Sequence, residues 1–228
     1  FMRIIVLSDK KYSYEDFYNK ISAPIKNSPL KYKIFLFVYR YLVYFTVLIY
    51  MALLIYCLIQ GLYHQFFNVV RFMKDEKTGL YYHAYDSSKT MFWCDKETGL
   101  SKHFWLRALG WYSMALLDTY CKADPLVMGK EHEELKKIFV DLMDAMLRYQ
   151  DKSGMWYQVV DMGDREPNYL ETSGSAIMAY CLLKGVRFGV LPESYREYAI
   201  KAFNGICDKY LVTKEGEMSL GGICLVGG

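Results

Sequence analysis

Between Gly79 and Trp111 the chain gathers side chains suited to holding an acidic sugar. His83-Ala-Tyr-Asp86 sets an imidazole and a carboxylate among Tyr81, Tyr82 and Tyr85, and Phe104-Trp-Leu-Arg-Ala-Leu-Gly-Trp111 brings Trp105, Arg107 and Trp111 close together in sequence. A guanidinium fork grips a carboxylate in two-point fashion, while flat indole rings pack on the apolar face of a sugar. At a helix start Trp105 and Arg107 point in different directions, so they can approach one ligand from two sides. Trp111 lies roughly 240° around the helix from Trp105. Arg107 stands in an otherwise apolar segment, where a buried guanidinium is costly unless paired. It therefore needs a partner, either a protein carboxylate or a bound anion.

Plainer readings of the same residues stay open. Tryptophans at helical spacing also build cores, and a histidine in a tyrosine-rich loop also serves as a simple hydrogen-bonding group. Other chemistries find no template. His64, His83, His103 and His132 form no HExxH pair, no Cys/His group has zinc spacing, and there is no GxSxG, phosphate loop or dinucleotide fingerprint. No metal and no cofactor is expected.

The elements that must position these residues are helices. His103 to Lys122 places Phe104, Leu106, Leu109, Tyr112, Leu116 and Tyr120 near a 3.6-residue period. Glu131 to Gln150 repeats the pattern, with an acidic start and a late Arg148 that suit the helix dipole. A third helix is predicted over Leu170 to Phe188, ended by Gly189 as a left-handed cap, and a fourth from Glu193 to about Leu211. No strand is predicted. Asp75-Glu-Lys-Thr-Gly-Leu-Tyr-Tyr-His83 is echoed by Asp151-Lys-Ser-Gly-Met-Trp-Tyr-Gln158 and faintly by Thr213-Lys-Glu-Gly-Glu-Met218. Helix, short turn, helix, then a longer glycine-and-aromatic loop is the rhythm of an α/α toroid, whose rim loops form a cleft. A plain helical bundle is the alternative.

The first third has a different texture. Residues 1–33 are polar and lysine-rich, and Tyr41 to Ile59 is a run of 19 residues without charge. About 20 apolar helical residues cross the hydrocarbon of a bilayer, so this run qualifies as a membrane span on length. Lys26, Lys31, Lys33 and Arg40 would put its N-terminal side in the cytoplasm. A fully buried core helix and a stretch from a shifted reading frame are the competing readings. The domain expectation is an unaligned segment over 1–65 followed by a domain over 66–228.

The 228 residues carry 28 basic and 25 acidic side chains, a net charge of +3 with no basic stripe, which argues against nucleic acid as a partner. Hydrophobic residues make up 53% and aromatics 17%, led by 22 Tyr and 13 Phe, and outside the apolar run these rings interleave with charge and glycine as in carbohydrate clefts. Cys57, Cys94, Cys121, Cys181, Cys207 and Cys224 lack paired spacing and read as thiols of a reducing compartment. Both ends read as open, with Phe1 at one and a glycine-rich phrase from Leu220 to Gly228 at the other.

Thr78-Gly-Leu-Tyr-Tyr-His-Ala-Tyr-Asp86, Met91-Phe-Trp-Cys-Asp95, Thr98-Gly-Leu-Ser101, His103 to Leu117, Gln150 to Asp161, and Asp164 to Ser175 together resemble glycoside hydrolase family 105, the unsaturated rhamnogalacturonyl hydrolases. The phrases run in order from about residue 66 to the C-terminus. The resemblance implies an all-α fold, here an incomplete (α/α)6 barrel or toroid of helical hairpins. It implies a hydrolase of pectin oligosaccharides that end in an unsaturated glucuronyl or galacturonyl unit. The partner would be that small oligosaccharide, with a membrane involved only if 41–59 is a true span.

In that reaction an aspartic acid protonates the enol-ether double bond and helps water add, after which the hemiketal opens and expels the neighbouring sugar. By position, His83, Trp105, Arg107 and Trp111 become cleft residues: Arg107 holds the carboxylate, the tryptophans wall the ring, and His83 bonds near the reacting end. Tyr82, Asp86, Glu171 and Ser173 are looser additions to the same rim.

One departure stands out. The family's acid lies upstream in a phrase of the type Asp-Thr-Leu-Phe-Met, and at that distance this chain has the apolar run, without a carboxylate from Tyr41 to Gly61. Asp9, Glu15 and Asp16 do not align, Asp86 and Asp161 are substitutes only in principle, and the family's last helices are not represented. The catalytic acid is left unassigned, and impaired turnover is expected. A uronide-binding remnant without catalysis and a membrane-tethered helical protein are the rival functions. The expected location is the cytoplasm, or a membrane if 41–59 anchors the chain.

Overall fold

The computed structural model describes residues 29–214 and 216–225. Asp9, Glu15, Asp16 and Lys26, with the polar opening segment, lie outside the described residues. The chain divides into two compact units, Phe1–Gly61 and Leu62–Gly228.

A single long helix, α1, covers Pro29–Met73. Every residue from Tyr41 to Leu58 is exposed, so this stretch is not the buried core helix that one reading allowed. By length and composition alone α1 is long and apolar enough to cross a membrane. Its last turns belong to the second unit, where Tyr63 is buried and the Tyr112 hydroxyl donates to the Phe66 carbonyl at 3.0 Å.

The second unit is built from helical hairpins. Helix α2 spans Leu106–Lys122, a short α3 covers Pro125–Met128, and α4 spans Lys130–Leu147. Then come α5 over Thr172–Arg187 and α6 over Tyr195–Tyr210. Helix α2 packs on both α4 and α5, and α5 packs on α6. Three pairings fix the direction of α2 against α5. Leu106 meets Gly174, Gly110 meets Ile177, and Asp118 binds Lys184 at 2.6 Å, so residue numbers rise together and the helices are parallel. The α4 start lies beside the α2 end, where a His132 ring nitrogen is 2.9 Å from the Tyr120 carbonyl, so α4 returns antiparallel. Parallel helices joined through an antiparallel return are the repeating unit of an α/α toroid, as expected. The core between them is dry: Leu109, Leu116, Leu117, Phe139, Leu142, Met146 and Trp156 are at most 1% exposed.

Two of the three sequence echoes, at Asp75 and Asp151, are one kind of turn, which recurs at Asp95. At Asp75, Asp95 and Asp151 the carboxylate accepts backbone N–H groups two or three residues on, at 2.8–3.0 Å. Each turn closes on a glycine with positive φ: Gly79 (74°), Gly99 (80°) and Gly154 (91°). At Gly154 a side chain is excluded twice over, because a Cβ would also lie 2.4 Å from the Lys201 carbonyl oxygen. The third echo, at Thr213, falls in something the sequence reading did not anticipate. Leu211–Lys214 (β1) and Glu217–Leu220 (β2) form an antiparallel hairpin. All of its described strand residues are exposed, so no burial alternation was there to signal strands.

Candidate functional site

Helices α2 and α5 begin side by side because a small ladder holds their first residues. Trp105, the N-cap of α2, is in extended conformation and bridges Val159 antiparallel. Leu106 N–H donates to the Gln158 carbonyl at 2.9 Å, and Val160 N–H to the Phe104 carbonyl at 3.1 Å. On its other edge the same segment pairs with residues 169–171: Gln158 N–H donates to the Tyr169 carbonyl and Glu171 N–H to the Trp156 carbonyl, both at 2.9 Å. Extended pairing at Phe104 and Trp105 delays the predicted start of α2 from His103 to Leu106. Two helix N-termini therefore share one rim, with two turns' worth of N–H groups directed at it.

Glu171 occupies that rim as the N-cap of α5, fully buried. Its carboxylate accepts from Ser173 N–H at 3.1 Å, Ser173 Oγ at 2.7 Å, Gly174 N–H at 2.6 Å and Cys224 N–H at 2.9 Å. The partner that Arg107 requires is this same carboxylate, 3.7 Å from Nη2. Arg107 also donates through Nη2 to the Cys224 carbonyl. Of the two partners that the sequence allowed, a protein carboxylate or a bound anion, the structure supplies the carboxylate: a buried acid balances the charge, although at 3.7 Å that contact is an ion pair without a hydrogen bond. Glu171 and Ser173 belong to the rim's scaffold, with Ser173 Oγ turned onto Glu171.

The other expected residues separate into two groups. His83 and Trp105 lie edge to face with centroids 5.9 Å apart, and the Arg107 guanidinium is 5.9 Å from the Trp105 ring centre. His83 Nδ1 is 3.2 Å from the His103 carbonyl. Tyr82 packs on Phe104 at 4.5 Å, and burial, then the Asp75 and Asp161 charges, push its phenol up. These residues form one cluster. Trp111 is not among them: it stands 55% exposed further along α2.

Asp86 is committed elsewhere. It accepts from Ser88 N–H and Oγ, Thr90 N–H and Met91 N–H at 2.7–3.0 Å. The Met91 N–H first, then the Ser88 hydroxyl, hold its carboxyl well below the usual carboxylate range, the opposite of what a proton donor requires. Asp161 is exposed on the loop beyond the ladder.

Beside the cluster a cavity of about 360 Å³ opens, lined by His103, Gln158, Met162, Arg165, Asn168 and Tyr169 among others. Asn168 builds its wall. Its amide oxygen accepts from Val159 and Tyr169 N–H at 3.1 Å, and its Nδ2 donates to the Val159 and Met162 carbonyls at 2.9 and 2.7 Å. Burial, then Cys224 and Glu171, push the Tyr169 phenol up.

Among the described residues, the buried side-chain polar atoms without a hydrogen bond are Tyr63 Oη, Trp105 Nε1, Arg107 Nε and Gln158 Oε1. All but the first belong to the Trp105–Arg107 turn and the segment paired with it. Gln158, Asn168, Tyr169 and Cys224 were not singled out from the sequence. Their one available signal was position, inside phrases already matched to the family or inside the terminal glycine-rich phrase. No metal-binding group of His, Cys, Asp or Glu occurs among the described residues, and their cysteines form no disulfide.

Comparison with known proteins follows the same part of the chain. The family described as Glycosyl Hydrolase Family 88 matches residues 52–228. A protein of Agrobacterium fabrum is 36% identical over 124 residues, which is 54% of this chain and 52% of that protein. An unsaturated rhamnogalacturonyl hydrolase of Bacillus subtilis is 33% identical over 150 residues, 64% of this chain and 37% of the relative. Among solved structures, a family 105 glycoside hydrolase of C. acetobutylicum superposes with a TM-score of 0.70 at 48% identity, covering 75% of this chain and 47% of that one. A family 88 glycosyl hydrolase from Bacteroides vulgatus gives a TM-score of 0.55 at 26% identity, covering 70% and 44%. The chain thus spans about half, or less, of the length of these relatives.

Proposed function

Because this chain belongs to glycosyl hydrolase family 88, with a family 105 enzyme among its structural relatives, we propose that it binds the unsaturated uronic acid ending a pectin oligosaccharide and takes part in its hydrolysis. The observation that carries this reading is the unsatisfied polar edge of the rim. Trp105 Nε1 and Arg107 Nε are buried donors without partners, two residues apart in one turn, with the His83 ring against Trp105. A buried donor left unmade costs about 1–3 kcal/mol, so a ligand oxygen is the natural acceptor. A uronide supplies both a carboxylate and ring hydroxyls.

Arg107 would then act through Nε toward the substrate while its Nη2 stays anchored. Glu171 does not prevent this, since four N–H and O–H donors already share its charge. Trp105 would wall one face of the flat unsaturated ring, and His83 would approach from its edge. The reaction is hydration of the enol ether: a carboxylic acid protonates the double bond, water adds, and the hemiketal opens to release the neighbouring sugar. One group serving as acid then base suffices. Glu171 on the rim and Asp86 in its own loop are both saturated by donors, so turnover by this chain is expected to be low. A rhamnose as the leaving sugar is the preferred assignment, in line with the printed activity of the Bacillus subtilis relative.

The test is to supply an unsaturated uronyl–rhamnose disaccharide and follow the ultraviolet absorbance of its double bond. Slow loss of absorbance that disappears in Arg107→Ala supports the reading. Unchanged absorbance together with no binding overturns it.

Two other readings have an observation behind them. Saturated rim carboxylates favour a uronide-binding remnant, which would bind the disaccharide and leave its absorbance intact. The exposed apolar stretch of α1, long enough to cross a membrane by length and composition, is the observation behind a membrane-tethered alternative to the cytoplasmic reading. Fractionation separates these, since an anchored chain leaves the membrane pellet only with detergent.

A further inference from the structure

Past the exposed strands of β1–β2 the chain returns to the rim as a strap, residues 221–224. Gly221 N–H donates to the Tyr210 carbonyl at 3.0 Å, which closes the neck of the hairpin at the end of α6. The strap then meets the start of α5, where Thr172 holds it twice. Thr172 N–H donates to the Gly222 carbonyl at 2.8 Å, and Thr172 Oγ1 donates to the Gly221 carbonyl at 2.7 Å. Thr172 is buried, and its N–H belongs to a first helical turn, whose N–H groups find no partner within their own helix.

Gly222 suits this place because it carries no side chain. Its φ is 67°, and a Cβ would lie 2.6 Å from the Tyr210 ring and 2.8 Å from Thr172 Oγ1. Tyr210 in turn packs on Met155, Leu170 and Ile206, so the strap rests on the core. Two residues on, Cys224 is buried and touches both members of the ion pair. Its N–H donates to Glu171 Oε1 at 2.9 Å, and its carbonyl accepts from Arg107 Nη2. A planar guanidinium with one nitrogen held by a carbonyl and a carboxylate cannot swing freely, so its other N–H groups keep fixed directions. Arg107 Nε is one of these, buried and without a partner.

We propose that the strap 221–224 is a positioning element for uronide recognition. Its Cys224 carbonyl fixes Arg107 Nη2 and so aims the free Nε–H at the ligand carboxylate, while Thr172 and Gly222 fix the strap. A guanidinium ordered before the ligand arrives loses less freedom on binding, which is what the strap contributes to affinity. The assignment rests on the uronide reading of the Trp105–Arg107 turn, and it makes Thr172, Gly222 and Cys224 positioning residues that act through Arg107. It also gives the hairpin β1–β2 a task, the return of the chain from α6 to the rim.

The test uses the whole chain, the unsaturated uronic acid monosaccharide, and Thr172→Val, which keeps the side-chain shape and removes its hydroxyl. Calorimetry is expected to show binding weakened about tenfold in Thr172→Val, the worth of one hydrogen bond to a charged group, and restored in Thr172→Ser. NMR separates positioning from general damage. At saturating ligand the Trp105 Nε1–H signal shifts in all three proteins, whereas the Arg107 Nε–H signal shifts in the unaltered chain and in Thr172→Ser and stays still in Thr172→Val. Gly222→Ala, which pushes the strap off the Tyr210 ring, gives the Thr172→Val pattern and replaces that variant should it fold poorly. Unchanged affinity with both signals shifting in the variant, or loss of both responses together, overturns the positioning role and leaves the uronide reading standing. No response of either signal in the unaltered chain removes the uronide reading, and the role of the strap with it.

Discussion

Arg107 and Glu171 approach to 3.7 Å where the N-terminal ends of α2 and α5 meet. The guanidinium is partly exposed, with 20% of its side-chain surface accessible, and the carboxylate is fully buried. A buried carboxylate normally makes heavy demands on its counter-charge. Here Ser173, Gly174 and Cys224 share those demands, so Glu171 is first an organiser of the rim and only second a partner of Arg107.

Removing that organiser should therefore be expensive. Glu171→Ala leaves buried N–H groups of Gly174 and Cys224 without acceptors and strips α5 of its cap, a loss of about 3 kcal/mol. Glu171→Gln keeps an acceptor oxygen and should lose about half as much. Urea unfolding of the three proteins measures both values. An Ala variant within about 0.5 kcal/mol of the parent would mean that Glu171 is not holding the rim.

The closeness of α2 and α5 depends on Gly174. A Cβ at that position would lie 2.4 Å from Leu106 Cγ, and Leu106 is fully buried. Gly174→Ala should destabilise the chain by about 1–3 kcal/mol through overpacking. In a Leu106→Ala background, itself destabilised, Gly174→Ala should cost less than in the parent, giving a coupling of at least about 0.5 kcal/mol in a double-mutant cycle. Additive effects would place the two helices further apart than described.

Asp86 provides a pH prediction. Donors from Met91, Ser88 and Thr90 depress its folded pKa, so its contribution to the 86–94 loop is fully present above the ordinary carboxylate range. That contribution is lost only as pH falls through the depressed value, below about 4. A carboxyl-carbon NMR titration should show Asp86 ionised throughout the range from neutral pH down to about 4. Titration above that value would return Asp86 to consideration as the proton donor.

Much of the scaffold was legible from residue spacing alone, and the exceptions share a cause. Leu109, Leu116, Leu135, Phe139 and Leu142 recur at helical period and are all buried, so the periods located α2 and α4 to within a few residues. The start of α2 was misplaced because Phe104 and Trp105 pair with Val159 and Val160, partners far along the chain that no local period can reveal. The aspartate turns could be read as repeats because their hydrogen bonds are local. The β1–β2 hairpin could not, since its described strand residues are exposed on both faces. Within the site, the need of Arg107 for a partner was deducible from its apolar surroundings. That the partner is Glu171 was not: glutamate is an uncommon cap, and the pairing joins two helix starts separated by a whole hairpin. The unpaired oxygen of Gln158 likewise exists only once segment 158–160 lies against α2.

The central claim is that the Trp105–Arg107 turn holds an unsaturated uronide through its unpaired donors, and calorimetry with the unsaturated uronic acid monosaccharide tests it most directly. The account predicts measurable binding to the whole chain and a loss of at least about tenfold in Arg107→Met, the worth of a charge-assisted hydrogen bond, with far-ultraviolet circular dichroism confirming that the variant keeps its helices. Binding of equal strength to the folded Arg107→Met variant, or no binding to the unaltered chain, would contradict it.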